Sequence, residues 1–494
     1  MNPSLIKVLI ANPPWPGPGF GARSDVRWPH KRSDRFIEYP IYLAYLAAIV
    51  RKDGHGVDFV DAILDELSVT SFARRVADSA PAVAVLECST PSIDYDLASA
   101  SEIKKHSPRT MTVLVGSHPT VYHRKIMSAR PAVDAVCRGE FDYTVRDLVR
   151  AVAAGGSLAG VEGLTWRENG EIRVNPDRPL IADLDEIPFP ARDVVKSRFY
   201  RQATFRGKTP TTVITSRGCP FRCVYCLWPR TLYGNRFRAR SAANVVEELE
   251  EAASRFGVDE IYFDDDSMGL DRNRMLEICR LMVEKKLRLE WIAQCRVDSM
   301  DEEVLRAMKE AGCRYIRFGV ESGSPRMLKV MKKGITVEKA METFRLARKV
   351  GIRTQAFFLF GVPEETGESI RETIEFAKKL KPDSAQFAVV VPHPGTELFR
   401  VSRDRGWLRY NNWEDFSSCR AMIETPQLSL AEVEQARIRA YREFYFRPAY
   451  VWQTLAGINS LSDLASVWSS ARSIWSRIGF FSRRNGKTPG GNAS

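Results

Sequence analysis

The chain has 494 residues, 44% of them hydrophobic and 27% charged, with a net charge of +12. That length suits about three domains, and the composition is that of a globular protein, which excludes a fibrous or wholly disordered chain. Six of the nine cysteines are scattered, which excludes a secreted disulfide framework.

No charged-then-apolar leader opens the sequence, and no apolar run approaches the roughly 20 residues of a membrane span. The expected compartment is therefore the reduced cytoplasm. Nucleic acid is not among the expected partners, because a general basic excess mainly favours solubility and loose anion binding.

Through about residue 155, strands alternate with helices. Strands are predicted at 6–10, 56–61, 82–86, 112–116 and 135–137, and helices near 41–51, 68–79, 95–106 and 143–154. This alternation predicts a doubly wound parallel sheet, whose ligands lie at the carboxyl ends of its strands. Residues 156–205 read as a hairpin, with Asn169 and Gly170 in the turn, followed by the proline-bearing connector Ile187, Pro188, Phe189 and Pro190.

The most informative stretch comes next. A β-branched run, residues 211–216, is broken by Arg217 and Gly218, and then Cys219, Cys223 and Cys226 follow in CxxxCxxC spacing. Three thiolates on a strand-end loop can hold three irons of a cubane and leave the fourth open, whereas such clusters are ordinarily held by four cysteines. A zinc site prefers paired CxxC units with a fourth ligand, and no partner pair is present. Three unrelated thiols remain the plainest alternative.

This spacing resembles the radical S-adenosylmethionine (SAM) superfamily. The resemblance implies that Cys219, Cys223 and Cys226 hold a [4Fe-4S] cluster and that Tyr225 packs near the adenine of SAM. SAM would chelate the open iron and be cleaved by one electron, supplied by an external flavodoxin- or ferredoxin-type donor.

The order of the preceding segments is also similar to the cobalamin (B12)-binding domain that precedes many radical SAM domains. The segments are Asn12-Pro13-Pro14, Asp53 to Val57, Gly116 to Thr120, and Arg138-Gly139-Glu140. Pro13, Gly116, His118 and Gly139 are the candidate cobalamin-side residues. His118 also reads as a hydrogen-bonding loop residue, and the two glycines as turn glycines. The loop after the first strand lacks the Asp-x-His-x-x-Gly motif of many cobalamin proteins, so the lower face of cobalt is expected to have no histidine ligand.

After the cysteines, helices alternate with strands at 260–263, 290–294, 315–320, 353–360 and 384–390. With the strand before the cluster this makes six β/α units, a partial barrel with its chemistry at the carboxyl strand ends. Residues there have counterparts in the family. Asp265 and Asp266 lie where SAM's amino group is held, and equally suit a helix-leading acidic turn. Arg296 could fork onto the SAM carboxylate or form a surface ion pair. Glu321 resembles the ribose contact and Gly361 the turn near adenine. His393 falls on the substrate face.

The resulting fold expectation is α/β in three parts. Residues 1–155 form a Rossmann-like cobalamin-binding domain, 156–205 the hairpin and linker, 206–404 a partial (β/α)6 TIM-type radical SAM barrel, and 405–494 a helical C-terminal region with a disordered end. In the tail, Leu461, Leu464, Val467, Trp468, Ala471, Ile474, Trp475 and Ile478 make an apolar stripe flanked by arginines. Such a helix either packs on the barrel or lies peripherally on the inner membrane face.

The leading functional expectation is a cobalamin-dependent radical SAM enzyme that methylates an unactivated carbon of a lipid or tetrapyrrole-like substrate. The second is a ring-forming oxidative cyclase with the same cofactors, similar to the anaerobic magnesium-protoporphyrin ester cyclase. A methylthiotransferase and a non-catalytic cobalamin-binding sensor rank lower.

Overall fold

Two parallel sheets carry the fold, and both grow out of apolar runs. The computed structural model describes residues 5–452 except 16, 18, 24–28, 33–36, 196, 201–203, 417–419 and 449. The first sheet holds β1 (Lys7–Asn12), β2 (Gly56–Asp61), β3 (Val83–Glu87), β4 (Met111–Val115) and β5 (Ala135–Cys137), all parallel, in the order β2-β1-β3-β4-β5.

Every residue of β3 is buried, as in a strand covered on both faces. Alternate side chains enter separate cores. Val8, Ile10, Val83, Val85 and Val113 meet the helix Ile41–Lys52 on one face. Leu9, Ala11, Ala84, Leu86 and Leu114 meet the helices Val69–Ser79 and Ile93–His106 on the other. The strand order reverses between β1 and β3, so a ligand crevice opens at their carboxyl ends.

Two features of this part differ from the sequence reading. Antiparallel β6 (Leu164–Glu168) and β7 (Glu171–Val174), expected in the connector, extend the edge of the first sheet beyond β5. A helix, Ser117–Ala129, fills the gap left between residues 116 and 135. Its apolar pattern is weak, and Pro119 reads as a breaker although it is tolerated in a first turn.

The second sheet holds β8 (Pro210–Val213), β9 (Glu260–Phe263), β10 (Glu290–Arg296), β11 (Cys313–Glu321), β12 (Arg353–Phe360) and β13 (Ser384–Val389). All six are parallel and lie in chain order, as a partial barrel requires. The expected strand at 211–216 ends early. Ser216–Arg217 pairs instead with Arg238–Ala239, antiparallel and outside the barrel sheet.

Helix Leu430–Tyr445 packs against the last strand, where the Tyr445 hydroxyl accepts from the Ala385 amide at 2.9 Å. Among the described residues no helix is long and apolar enough to cross a membrane. The stripe at 461–478 lies outside the described residues.

Buried ion pairs join the two sheets. Glu140, just beyond β5, accepts from Arg217 and Arg238, each at 2.8 Å. Asp142 takes the other fork of Arg217 at 2.8 and 3.2 Å. Deeper in, Glu248 is clasped by Arg192 of the connector and by Arg240. Burial opposes the charge on Arg217, but Asp142 and Glu140 hold its pKa well above the usual arginine value.

Candidate active site

The three cysteines sit on a loop shaped by residues distant in sequence. The buried Asp265 carboxylate accepts from the Thr215 amide at 2.6 Å, the Ser216 amide at 3.2 Å and the Thr215 hydroxyl. These bonds draw the chain out of the barrel sheet after β8. Asp266 accepts from the Gly218 amide at 3.0 Å.

Gly218 has φ +81°, and a Cβ there would stand 2.3 Å from the Arg236 carbonyl oxygen. Gly218→Ala therefore carries both left-handed strain and a backbone clash. We expect it to cost about 1–2 kcal/mol from the strain alone and to lower cluster occupancy, measured as iron per chain. Asn235 closes the loop by donating to the carbonyls of Cys219 (3.2 Å) and Phe221 (3.1 Å).

Cys219 and Cys226 are half-buried and Cys223 is buried. Burial, followed by Asp266, pushes the Cys219 thiol up to about 11, so only a bound metal would keep it ionised near neutrality. Among the described residues, no three His, Cys, Asp or Glu side chains gather closely enough to hold one metal ion. A multi-iron cluster takes one thiolate per iron, and three cysteines in this spacing fit that donor set better than the four ligands of a structural zinc site.

The other barrel candidates surround this loop. Tyr225 packs on Met327, Leu359, Val362 and Val390. The Arg296 guanidinium stacks 3.4 Å from the Phe221 ring centroid, forks onto Asp298 at 2.9 and 2.8 Å, and donates to the Lys333 carbonyl at 2.9 Å. Glu321 has φ +70° and accepts from Lys333 Nζ at 2.7 Å. Burial lowers the Lys333 pKa, yet Glu321 and Cys223 together hold it above its ordinary value.

Lys333 and Asn235 were not singled out from the sequence. The only signal for Lys333 is its place before the turn residue Gly334, and Asn235 has none.

Gly361 has φ +86°, and its amide donates to Glu365 at 2.5 Å. Burial pushes the Glu365 carboxyl from 4.5 up to about 8, against the pull of the Gly361 and Val362 amides. In the unfolded chain this group ionises at lower pH than in the folded one. Its neutral form thus contributes stability that is full below about 4.5 and is lost as pH rises toward about 8. Glu365→Gln, which cannot ionise, should flatten the stability–pH curve in that window, as followed by urea midpoints. An unchanged slope would refute the assignment.

The first domain presents its strand ends to this site. Asn12, before Pro13, bonds Asp61 at 3.1 Å and Arg23 at 2.5 Å, and Arg23 forms a buried pair with Asp96 at 2.7 Å. Gly116 has φ +114°, and a Cβ there would lie 2.3 Å from the Cys88 carbonyl oxygen. Gly139 has φ +64° with nothing within 4 Å of a built Cβ, so open space adjoins it.

His118 lies in the first turn of its helix, with Nδ1 3.2 Å from the Thr90 hydroxyl and its ring centroid 4.8 Å from Trp413. Burial first, then His393, drives its pKa down to about 3. His393 is buried with neither ring nitrogen partnered, and burial lowers its pKa to about 4. The Ser117 and Thr231 hydroxyls meet at 3.2 Å, so the start of the helix after β4 touches the short helix that follows the cysteines.

Known proteins share this order of domains. Residues 213–377 match the Radical SAM superfamily, and residues 32–149 match the B12 binding domain. An uncharacterized methyltransferase of Pyrococcus horikoshii, PH0819, is 35% identical over 83% of this chain and 88% of its own length. An anaerobic magnesium-protoporphyrin IX monomethyl ester cyclase of Cereibacter sphaeroides is 28% identical over 84% of this chain and 68% of its own. The solved structure of OxsB, a cobalamin-dependent SAM radical enzyme with aqua-cobalamin and SAM bound, superposes with a TM-score of 0.70 at 18% identity, covering 97% of this chain and 72% of OxsB.

The last of these likenesses concerns the fold alone, while the first establishes kinship. The chain belongs to the radical SAM superfamily, in the branch with an N-terminal B12-binding domain, and is a radical SAM methyltransferase whose cofactors are a [4Fe-4S] cluster, SAM and cobalamin.

Proposed function

We propose that the enzyme methylates an unactivated carbon of a hydrophobic or tetrapyrrole-like small molecule. The observation that carries this reading is the Ser117–Thr231 contact, which sets the start of the helix after β4 against the segment following the cysteines. A relay between two cofactors needs such a junction. When bound, the cluster delivers one electron to SAM, and cobalamin supplies a transferable methyl group.

In this reading residues 1–155 hold cobalamin and residues 206–404 hold the cluster and SAM, with 156–205 linking them. Cys219, Cys223 and Cys226 bind iron. Asn235, Asp265 and Asp266 hold the loop's shape through its backbone. Tyr225, Arg296, Glu321 and Gly361 line the SAM side. Lys333 keeps a cation beside Cys223 and Glu321, where it offsets the negative charge of the thiolates. Pro13, Gly116, His118 and Gly139 border cobalamin.

His393 stays neutral because it is buried, so it offers the substrate one donor and one acceptor and carries no charge. Trp413 and Phe416 cover this junction with aromatic surface, Trp413 meeting His118 edge to face and Phe416 lying beside His393, and they keep water away from a reactive radical.

The cyclase of C. sphaeroides supports a tetrapyrrole-like substrate, and also a second reading in which the same cofactors close a ring. An anaerobic assay with magnesium-protoporphyrin monomethyl ester separates the two. Methylation yields S-adenosylhomocysteine together with 5′-deoxyadenosine and a product carrying one more methyl group. Ring closure yields 5′-deoxyadenosine without S-adenosylhomocysteine. An external low-potential donor and peripheral membrane contact complete the proposal.

A further inference from the structure

The second sheet has two unlike faces. On the outer face Ala293, Ile316, Phe318, Ala356, Phe358 and Phe387 join the core beneath the helices. The side chains that alternate with them turn to the inside of the partial barrel, and there the sequence places polar groups. Gln294 of β10 lies beside Arg317 of β11, Arg317 beside Gln355 of β12, and Gln355 beside Ser384 of β13. One polar row thus crosses four adjacent strands. Gln386 stands one step above Ser384, beside Phe357. Gln294, Arg317, Gln355 and Gln386 are all part-exposed, so space remains next to them inside the barrel.

The protein itself satisfies this row only in part. The Tyr262 hydroxyl lies 2.9 Å from Gln294 Oε1 and 3.1 Å from Asp264. Arg317 stands over the Tyr262 ring, 4.8 Å from its centroid, and donates to the Thr204 hydroxyl at 2.6 Å. Burial opposes its charge, but Tyr262 and then Glu38 hold its pKa above the usual arginine value. Among the described residues, the side-chain amides of Gln355 and Gln386 meet no hydrogen-bond partner, and neither does the NH2 of Gln294. Enclosed amides of this kind pair with water or with a ligand.

The row has a floor and a ceiling. Toward the amino ends of the strands, Phe205 packs with Tyr262, Ile292 and Tyr315 and closes the interior. Toward the carboxyl ends, Arg296 begins the SAM side two residues beyond Gln294, about 7 Å higher.

We propose that this row is a binding site inside the barrel, below the SAM side, and that it takes a carboxylate-bearing end of the substrate. A guanidinium and three amides offer donors there, and anionic oxygens are the acceptors that suit them best. The inference rests on the methylation reading above and deepens it, because it says which end of a lipid or tetrapyrrole-like molecule enters first. An apolar end would leave the donors without partners, and a site built to hydrogen-bond rejects a ligand that lacks the matching group. The apolar remainder then extends toward the carboxyl strand ends, where His393 and the cysteine loop lie.

The test compares the reconstituted holoenzyme with its Gln355→Leu/Gln386→Leu double variant, in which the replaced amides bonded nothing in the protein. Equilibrium dialysis measures protoporphyrin IX against its dimethyl ester, and decanoate against its methyl ester. The parent should bind the acid of at least one pair about tenfold or more tighter than the ester. The variant should lower that preference about tenfold, with ester binding no weaker and SAM affinity within about twofold. Succinate, read as a rise in urea midpoint, probes the carboxylate alone.

A preference equal in parent and variant overturns the proposal, and so does a parent that binds acid and ester alike. A matching loss of SAM affinity overturns it as well, because the amides would then belong to SAM. A parent that binds neither pair, yet gains stability from succinate that the variant does not, keeps the site and sinks the lipid-or-tetrapyrrole reading. If succinate also has no such effect, the site falls with it.

Discussion

Cys223→Ala is expected to give a folded protein that purifies with its B12-binding domain intact and forms no 5′-deoxyadenosine. Cys223 is the buried member of the triad, and its sulfur faces Lys332 and the Lys333–Glu321 pair. Removing one of three ligands leaves an iron without protein support on a loop that gains nothing in exchange. Changing a group that only hydrogen-bonds a metal's ligand costs about 10–100-fold, so loss of a ligand should exceed that range.

Iron content, cobalamin retention and 5′-deoxyadenosine are measured on the same sample. Retained cobalamin with lost iron and lost nucleoside is the expected pattern. A variant that still forms 5′-deoxyadenosine would remove Cys223 from the cluster.

Glu140→Ala should produce the largest change in stability. The carboxylate is buried and serves three donors at once, Arg217, Arg238 and the Ile181 amide, each at 2.8 Å. Replacing a whole buried ion group by apolar side chains is often neutral, but deleting one partner strands the others. Breaking a buried pair this way costs about 3–5 kcal/mol.

The urea midpoint should fall accordingly, with Glu140→Gln intermediate because an amide keeps some acceptor capacity. Since the pairs also join the two sheets, 5′-deoxyadenosine should form in excess over methylated product. A shift below about 1 kcal/mol would place the group among pairs whose desolvation cancels their attraction.

Much of the architecture was legible because it rests on local pattern. β-Branched runs alternating with amphipathic helices specify both sheets, and the cysteine spacing marks the loop. What escaped depends on distant partners. Thr215 and Ser216 look like strand residues, and only Asp265, 50 and 49 positions away, shows why they leave the barrel. Lys333 reaches the site from a turn 110 residues beyond Cys223, and its role depends on Glu321 and on burial that no short window reveals.

Asp265 and Asp266 carry a similar lesson. An acidic run after a strand suits both a contact to SAM and a helix-leading turn; that these carboxylates also accept from amides of the neighbouring loop is something no local pattern announces. The segment Arg138-Gly139-Glu140 was read for its glycine, yet its glutamate joins the domains.

That glutamate sets a dimension of the molecule. Gly139 precedes Glu140 by one position, and Arg217 precedes Cys219 by two. The ion group therefore ties the chain just after β5 to the chain just before the cysteines. Pulling the two sheets apart at that point would separate buried opposite charges, at a cost of about 3–5 kcal/mol, so any relative movement of the sheets is expected elsewhere along their border.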